Sequence, residues 1–216
     1  MGSRDGLTGL LAREHDYLKE SSFHSDSLRD RFIQLYLVLA GSALSGAVAL
    51  AGSDRPLLPE VLAVLTGSLA LVGLMVLLML VRLRRVAVEC MQGMVLIKVA
   101  IGRDLDPAAK SRLADTLIWD DQSLPRPPGY RNSLRTVHAL SAGVVMLLAG
   151  LLAGAALFFG VQAASGVPDG RALGWSAIVG LAAILAQYRL YIALLRREMV
   201  DLDARFQERR ERLEAP

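Results

Sequence analysis

Four long apolar runs constrain the fold of this chain more than any other feature of its sequence. The first three contain no charged residue, and the fourth contains one, Arg189. Each run is close to the ~20 residues that an α-helix needs to cross a hydrocarbon core about 30 Å thick. The runs therefore predict four membrane-spanning helices, which cover residues 32–52, 61–81, 139–161 and 172–195.

The charged residues lie between and around the runs, and their distribution predicts an orientation. Of the 24 Lys and Arg residues, the two short connectors, 53–60 and 162–171, hold only Arg55 and Arg171. Basic loops stay on the cytoplasmic side during membrane insertion. We therefore expect a bacterial-type inner (plasma) membrane protein with both termini in the cytoplasm and two short outer loops.

This layout predicts an all-α polytopic membrane protein, with four transmembrane helices in two antiparallel hairpins and cytoplasmic helical extensions. The hairpins together would form a four-helix bundle. The expected parts are a cytoplasmic amphipathic helix (1–31), the first hairpin (32–85), a cytoplasmic helical segment with a Pro-rich linker (86–135), the second hairpin (136–195) and a cytoplasmic C-terminal helix (196–216).

The cytoplasmic segments carry apolar residues at helical spacing, which indicates faces that need partners. The N-terminal segment lacks Pro and Gly from Leu11 to Ala40, so it is expected to run into the first span. Its weak points, where a kink or a new N-cap could form, are Ser21, Ser22, Ser25 and Asp26. The apolar positions of the other two segments are Met91, Met94, Val95 and Ile101 after run two, and Met199, Leu202, Phe206 and Leu213 after run four.

Residues that could carry chemistry are scarce. Ionisable side chains inside a bilayer are costly and mark transport or catalytic sites, and the first three runs have none. The single cysteine, Cys90, cannot form an intrachain disulfide and is interpreted as structural filler. No phosphate loop, dinucleotide fingerprint or zinc spacing is present. We therefore expect no enzymatic activity, no cofactor and no metal.

The basic composition does not require a nucleic-acid partner. Arginines that flank membrane spans, attracted by anionic headgroups, account for the excess of positive charge. The partners expected from the sequence are the lipid bilayer, further copies of the chain and, as another candidate, a cytoplasmic protein.

Arg189 is the one charged residue within a run, and it has two interpretations. In the first, its side chain extends to the headgroups beside Tyr188 and Tyr191 in an interfacial aromatic belt. In the second, Arg189, Gln187 and Gln34 face the bundle axis at its cytoplasmic mouth. Several copies would then form a polar ring of the kind that constricts an anion-conducting pore.

Small residues at four-residue spacing predict helix-packing faces. Gly150 and Gly154 form a GxxxG step in run three, and Ser42 and Gly46 repeat the spacing in run one. Such faces let helix backbones approach closely in lipid, where burial of apolar surface gives no drive for association. They fit packing of the two hairpins within one chain, and they also fit homo-oligomerisation.

Three functions remain open from the sequence. The first is a non-enzymatic membrane subunit that oligomerises and perturbs or permeabilises the membrane under cytoplasmic control. The second is a small transporter or exporter, whose midplane site would have to use hydroxyls such as those of Thr66 and Ser68. The third is an anchor or scaffold for a cytoplasmic partner. The layout resembles small multi-pass bacterial membrane proteins that act as effectors or accessory subunits in stress and antiphage systems, by architecture alone.

Overall fold

The structure is a computed structural model that describes residues 2–51, 58–103, 137–165 and 170–214. Four helices account for these residues: α1 (Gly2–Ala51), α2 (Pro59–Arg103), α3 (Val137–Ser165) and α4 (Gly170–Glu214). The all-α prediction is confirmed for this part of the chain. The Pro-rich linker, residues 53–57 of the first short connector and residues 166–169 of the second lie outside the described residues.

The start of α2 follows from its sequence. Pro59 occupies the first helical position, where its missing N–H has no partner to lose. The carbonyl oxygen of Leu58 accepts hydrogen bonds from Val61 N and Leu62 N, at 3.0 and 3.2 Å. Glu60 lies in the first turn, where a carboxylate interacts favourably with the helix dipole.

Three helices are long and apolar enough to cross a membrane. The qualifying stretches are Pro59–Ile101 of α2, Leu140–Ser165 of α3 and Arg171–Leu213 of α4. The prediction of four spans is not confirmed, because α1 does not reach the required apolarity over its described residues. The side chains of Val48 and Leu50 in its apolar half lie outside the described part, and the charged residues Asp30 and Arg31 directly precede that half.

The chain divides into two compact units. The first, here the charged unit, comprises Met1–Leu28, Arg82–Ser133 and Leu195–Pro216. The second, the apolar unit, comprises Arg29–Val81 and Leu134–Leu194.

The apolar unit leaves much of its hydrophobic surface uncovered. Only 33% of the most apolar stretch is buried in α2 and in α3, and 17% in α4. A protein surface this rich in exposed aliphatic side chains suits lipid and not water. Among the exposed residues are Leu35, Val38, Val64, Leu71, Met75, Leu147, Leu151, Leu173, Trp175 and Ile178.

The charged unit has a small apolar core between α2 and α4. Val95 of α2 and Phe206 of α4 are both buried, and Met91, Leu96 and Val99 pack against them. Met199 and Leu202 are buried as well, while Leu213 is partly exposed. Three of the four apolar positions of the C-terminal segment therefore face an interior, as their spacing predicts.

The N-terminal helix does not restart at its serines. The Oγ atom of Ser25 donates a hydrogen bond to the carbonyl oxygen of Leu83 in α2, at 3.0 Å. Because this hydroxyl is satisfied between helices, it does not cap a new helix start, and α1 continues unbroken from Gly2 to Ala51. A second close approach of the two helices occurs where Leu18 packs onto Gly93, which has no side chain to obstruct it.

Candidate functional site

The GxxxG step of α3 packs against α4 of the same chain. A Cβ atom added at Gly154 would lie 2.6 Å from the carbonyl oxygen of Ser176 and 3.3 Å from the Cα atom of Gly180. A Cβ atom added at Gly150 would collide with the side chain of Ile184 and lie 3.0 Å from the carbonyl oxygen of Gly180. Only hydrogen atoms fit between the two backbones here, so these glycines permit the close crossing of α3 and α4.

The corresponding step in α1 is not used in this way. Ser42 and Gly46 are both exposed, and a Cβ atom added at Gly46 or at Gly41 would meet nothing within 4 Å among the described residues. Ser45 and Ala49 are exposed as well. We call these five residues the small face of α1; it is uncovered over the described part of the chain.

A tyrosine missed by the sequence analysis is buried where α1, α2 and α3 of the apolar unit approach one another. Tyr36 of α1 is fully buried, with 0% of its surface exposed. Its ring and hydroxyl lie against Gly73 of α2, and a Cβ atom added at Gly73 would also lie 2.7 Å from the Cβ atom of Ala149 in α3. The Tyr36 hydroxyl is buried and has no hydrogen-bond partner within the described ranges. The signal that could have identified it is the lone tyrosine in run one together with Gly73, one of the two glycines in run two.

The three residues of the predicted polar ring occupy different environments. Gln34 and Arg189 are exposed, whereas Gln187 is partly buried. Its carboxamide oxygen is buried and lacks a hydrogen-bond partner among the described residues. Tyr191, expected in an interfacial belt beside Arg189, is instead buried, and Tyr188 is partly buried. That part of the belt interpretation is wrong, because the two rings do not both lie open to lipid.

The hydroxyls considered for a transport site are engaged locally or point outward. The Oγ1 atom of Thr66 donates to the carbonyl oxygen of Leu62 at 2.7 Å. The Oγ atom of Ser176, also buried, donates to the carbonyl oxygen of Ala172 at 2.6 Å. Both bonds run to the residue four positions earlier in the same helix, a common way of satisfying a hydroxyl in lipid. Ser68 is exposed.

An ion pair joins α2 and α4 in the charged unit. The Nη1 atom of Arg85 lies 2.5 Å from the Oε2 atom of Glu198, with about a third of each side chain exposed. Pairs within α4 join Arg205 to Asp201 and Arg212 to Glu208, both at four-residue spacing. The last two are exposed and contribute little stability, while the partly buried pair between helices fixes their register more firmly.

A groove lies between α1 and α2 in the charged unit and encloses about 420 Å³. Its apolar part is formed by Phe23, Met91, Met94 and Val95. Its polar residues are His15, Lys19, Ser22, Asp26 and Lys98. We call this the lysine groove; the sequence predicted its α2 side as an apolar stripe but gave no sign of the α1 side.

A second depression in the same unit, of about 440 Å³, has a different character. Its polar residues include Glu14, Glu89 and Arg209, and Cys90 lies along its wall. We call it the acidic crevice. Cys90 itself is buried. In the described ranges no three His, Cys, Asp or Glu side chains are grouped closely enough to hold a metal ion.

No protein-family model, curated protein or solved structure matches the chain. Its function must therefore be argued from its own residues and surfaces.

Proposed function

We propose that this protein is a non-enzymatic integral membrane subunit that oligomerises and acts on the membrane as a pore-forming or membrane-perturbing effector or accessory protein, controlled from the cytoplasm. All four helices cross the bilayer in two antiparallel hairpins, and both termini lie in the cytoplasm of a bacterial-type inner membrane. The exposed apolar surface of the apolar unit supports membrane insertion. The near absence of Lys and Arg from the two short connectors supports the orientation.

Oligomerisation rests on one observation, the uncovered small face of α1. A Cβ atom added at either of its glycines meets nothing within 4 Å among the described residues, and both of its serines are exposed. The comparable glycines of α3 are fully used within the chain. In lipid, the association of two helices is stabilised when a row of small residues lets them pack closely, because van der Waals contacts and inter-helix hydrogen bonds form. A second copy of α1 offers the complementary surface.

Replacing Gly46 with leucine tests this interface without disturbing the fold of one chain. Because a Cβ atom at Gly46 meets no described atom, the thermal stability of the monomer should be unchanged. The dissociation constant for self-association should rise about tenfold to a hundredfold, because a large side chain is forced into a close contact between helices. The measurement is the oligomer fraction in vesicles, read by energy transfer between labelled copies over a range of protein-to-lipid ratios.

Gly160→Leu is the matched control, since Gly160 of α3 also has open space around it but does not belong to the small face. This variant should associate like the unsubstituted protein. The proposed interface is contradicted if the unsubstituted protein stays monomeric at every protein-to-lipid ratio. It is also contradicted if Gly46→Leu and Gly160→Leu weaken association equally.

Pore formation rests on the exposed position of Arg189 in an otherwise uncharged apolar run. A guanidinium that is exposed on one copy can face a shared axis when copies assemble, and a ring of arginines favours anions. Gln34, exposed on α1, would add an uncharged polar group to the same lining.

Conductance across a planar bilayer tests the pore directly. Purified protein should give anion-selective current, and Arg189→Glu should shift the reversal potential toward cation selectivity in a salt gradient. Arg171→Glu, at an exposed position in the second outer connector, is the control and should leave selectivity unchanged. If the purified protein gives no current under any condition tried, the pore is rejected. Oligomerisation is judged separately, by the energy-transfer measurement.

The transporter alternative finds less support. Of its candidate hydroxyls, that of Thr66 already donates to the carbonyl oxygen of Leu62 in its own helix, and Ser68 is exposed. The anchor alternative retains one favourable observation: Leu10 and Tyr17, seven residues apart on α1 of the charged unit, are both largely exposed. A cytoplasmic protein partner would cover such a surface.

A further inference from the structure

We propose that the lysine groove of the charged unit binds an anionic amphiphile with a single hydrocarbon chain, such as an acyl carboxylate or a single-chain phosphate ester. The groove provides an apolar lining for the chain and ammonium groups for the head. This inference does not depend on oligomerisation or pore formation.

The apolar lining suits a flexible chain. Met91 and Met94 are partly exposed along α2, and methionine side chains adapt to ligands of irregular shape. Phe23 of α1 has 65% of its surface exposed although it borders the groove, so its ring has room to cover a bound chain. The volume of about 420 Å³ lies near the lower end of the ~300–1,000 Å³ range of small-molecule sites, which favours one chain over two.

The charged lining suits an anionic head. Lys19 of α1 and Lys98 of α2 contribute to opposite sides of the groove, and within the described ranges neither ammonium has a carboxylate at ion-pair distance. Two lysines against one carboxylate, that of Asp26, leave the lining cationic. His15 and Ser22 add groups that can donate hydrogen bonds to a carboxylate or phosphate. A charged partner strengthens such bonds to roughly twice their neutral value.

The acidic crevice provides a comparison within the same unit. It is of similar volume, but its lining includes two carboxylates, Glu14 and Glu89, against the single guanidinium of Arg209. Repulsion from these carboxylates disfavours an anion there. A ligand that selects its site by charge should therefore occupy the lysine groove and leave the acidic crevice empty.

Photo-crosslinking tests the site on the full-length protein reconstituted in nanodiscs of zwitterionic phosphatidylcholine. The probe is palmitate with a diazirine in its chain, and labelled peptides are mapped by mass spectrometry. We expect saturable labelling within residues 19–26 and 91–98, suppressed by excess unlabelled palmitate. The corresponding alcohol, which has the same chain and no charge, should compete about tenfold less well because it cannot pair with the lysines. Probe dissolved in the bilayer will also label the apolar unit. This labelling should not saturate, and it serves as the background against which groove labelling is measured.

Charge-removing variants complete the test. Lys98→Gln and Lys19→Gln should each weaken saturable labelling severalfold and together about tenfold or more. Arg13→Gln removes one positive charge from an exposed position of α1 outside the groove, and should change nothing. Thermal stability of each variant verifies that the charged unit remains folded.

The source of the ligand is distinguished by adding phosphatidylglycerol to the nanodiscs. Phosphatidylglycerol carries two acyl chains, so groove labelling that it leaves unchanged supports a single-chain amphiphile. Suppression as strong as that by palmitate would mean that a two-chain bilayer lipid occupies the groove, and would contradict the proposal. Groove labelling that is unsaturable, equal for the alcohol, or unaffected by both lysine substitutions would overturn the proposal.

Discussion

Gly154→Ala should lower the free energy of unfolding by about 1–3 kcal/mol, although it adds a single methyl group. The new Cβ atom would lie 2.6 Å from the carbonyl oxygen of Ser176, a backbone atom that cannot turn aside as a side chain can. The two helices would have to separate, and all the close contacts around Gly180 would weaken with them. Reversible unfolding in mixed micelles measures the effect.

Gly160→Ala is the matched control on the same helix. A Cβ atom at Gly160 meets nothing within 4 Å among the described residues. Since alanine is the better helix former, this variant should be neutral or more stable by up to ~1 kcal/mol. Equal losses in the two variants would mean that glycine matters to the α3 backbone itself and not to its contact with α4.

Tyr36→Ala should lower the free energy of unfolding by about 3–5 kcal/mol, the range for deletion of a large buried aromatic side chain. The ring fills the space beside Gly73, and its removal leaves a cavity among three helices of the apolar unit. The same unfolding measurement applies.

Tyr36→Phe separates the ring from the hydroxyl. Phenylalanine keeps the packing and removes a buried hydroxyl that has no hydrogen-bond partner over the described residues. The variant should therefore be neutral or slightly more stable, because an unsatisfied buried polar group costs about 1–3 kcal/mol. Should it be as damaging as alanine, the hydroxyl must have a partner outside the described part of the chain.

The helices themselves could be predicted from the sequence because length and apolarity are local properties. The run at 139–161 corresponds to a helix, α3, that meets the criteria for a membrane span. The same reasoning predicted a membrane span in α1, which is not confirmed. Gln34, Ser42 and Ser45 interrupt its apolar run, and over its described residues α1 does not meet the criteria for a membrane span that the other three helices meet.

The contacts between helices could be predicted only in part. The spacing of Gly150 and Gly154 marks a packing face, but the same spacing serves contacts within a chain and between chains. Sequence alone therefore did not name Gly180 and Ser176 as the surface they meet. Tyr36 was missed because a tyrosine in an apolar run is equally consistent with a lipid-facing position. The lysine groove was half anticipated, since Met91 and Met94 formed a visible stripe while the α1 residues opposite them had no recognisable pattern.

Because Cys90 is buried, the rate at which its thiol is alkylated can report the local stability of the charged unit. Cys90 is the one cysteine among 216 residues, and its thiol is shielded in the folded charged unit. Cys90 keeps only 6% of its surface exposed at the wall of the acidic crevice, so alkylation should be slow in the folded unit and faster during transient openings, whose frequency reflects the local free energy of opening. The rate of alkylation therefore reports how often this unit opens locally. It can be measured on the protein in a membrane and needs no introduced label. A ligand that stabilises the unit against local opening would slow that rate.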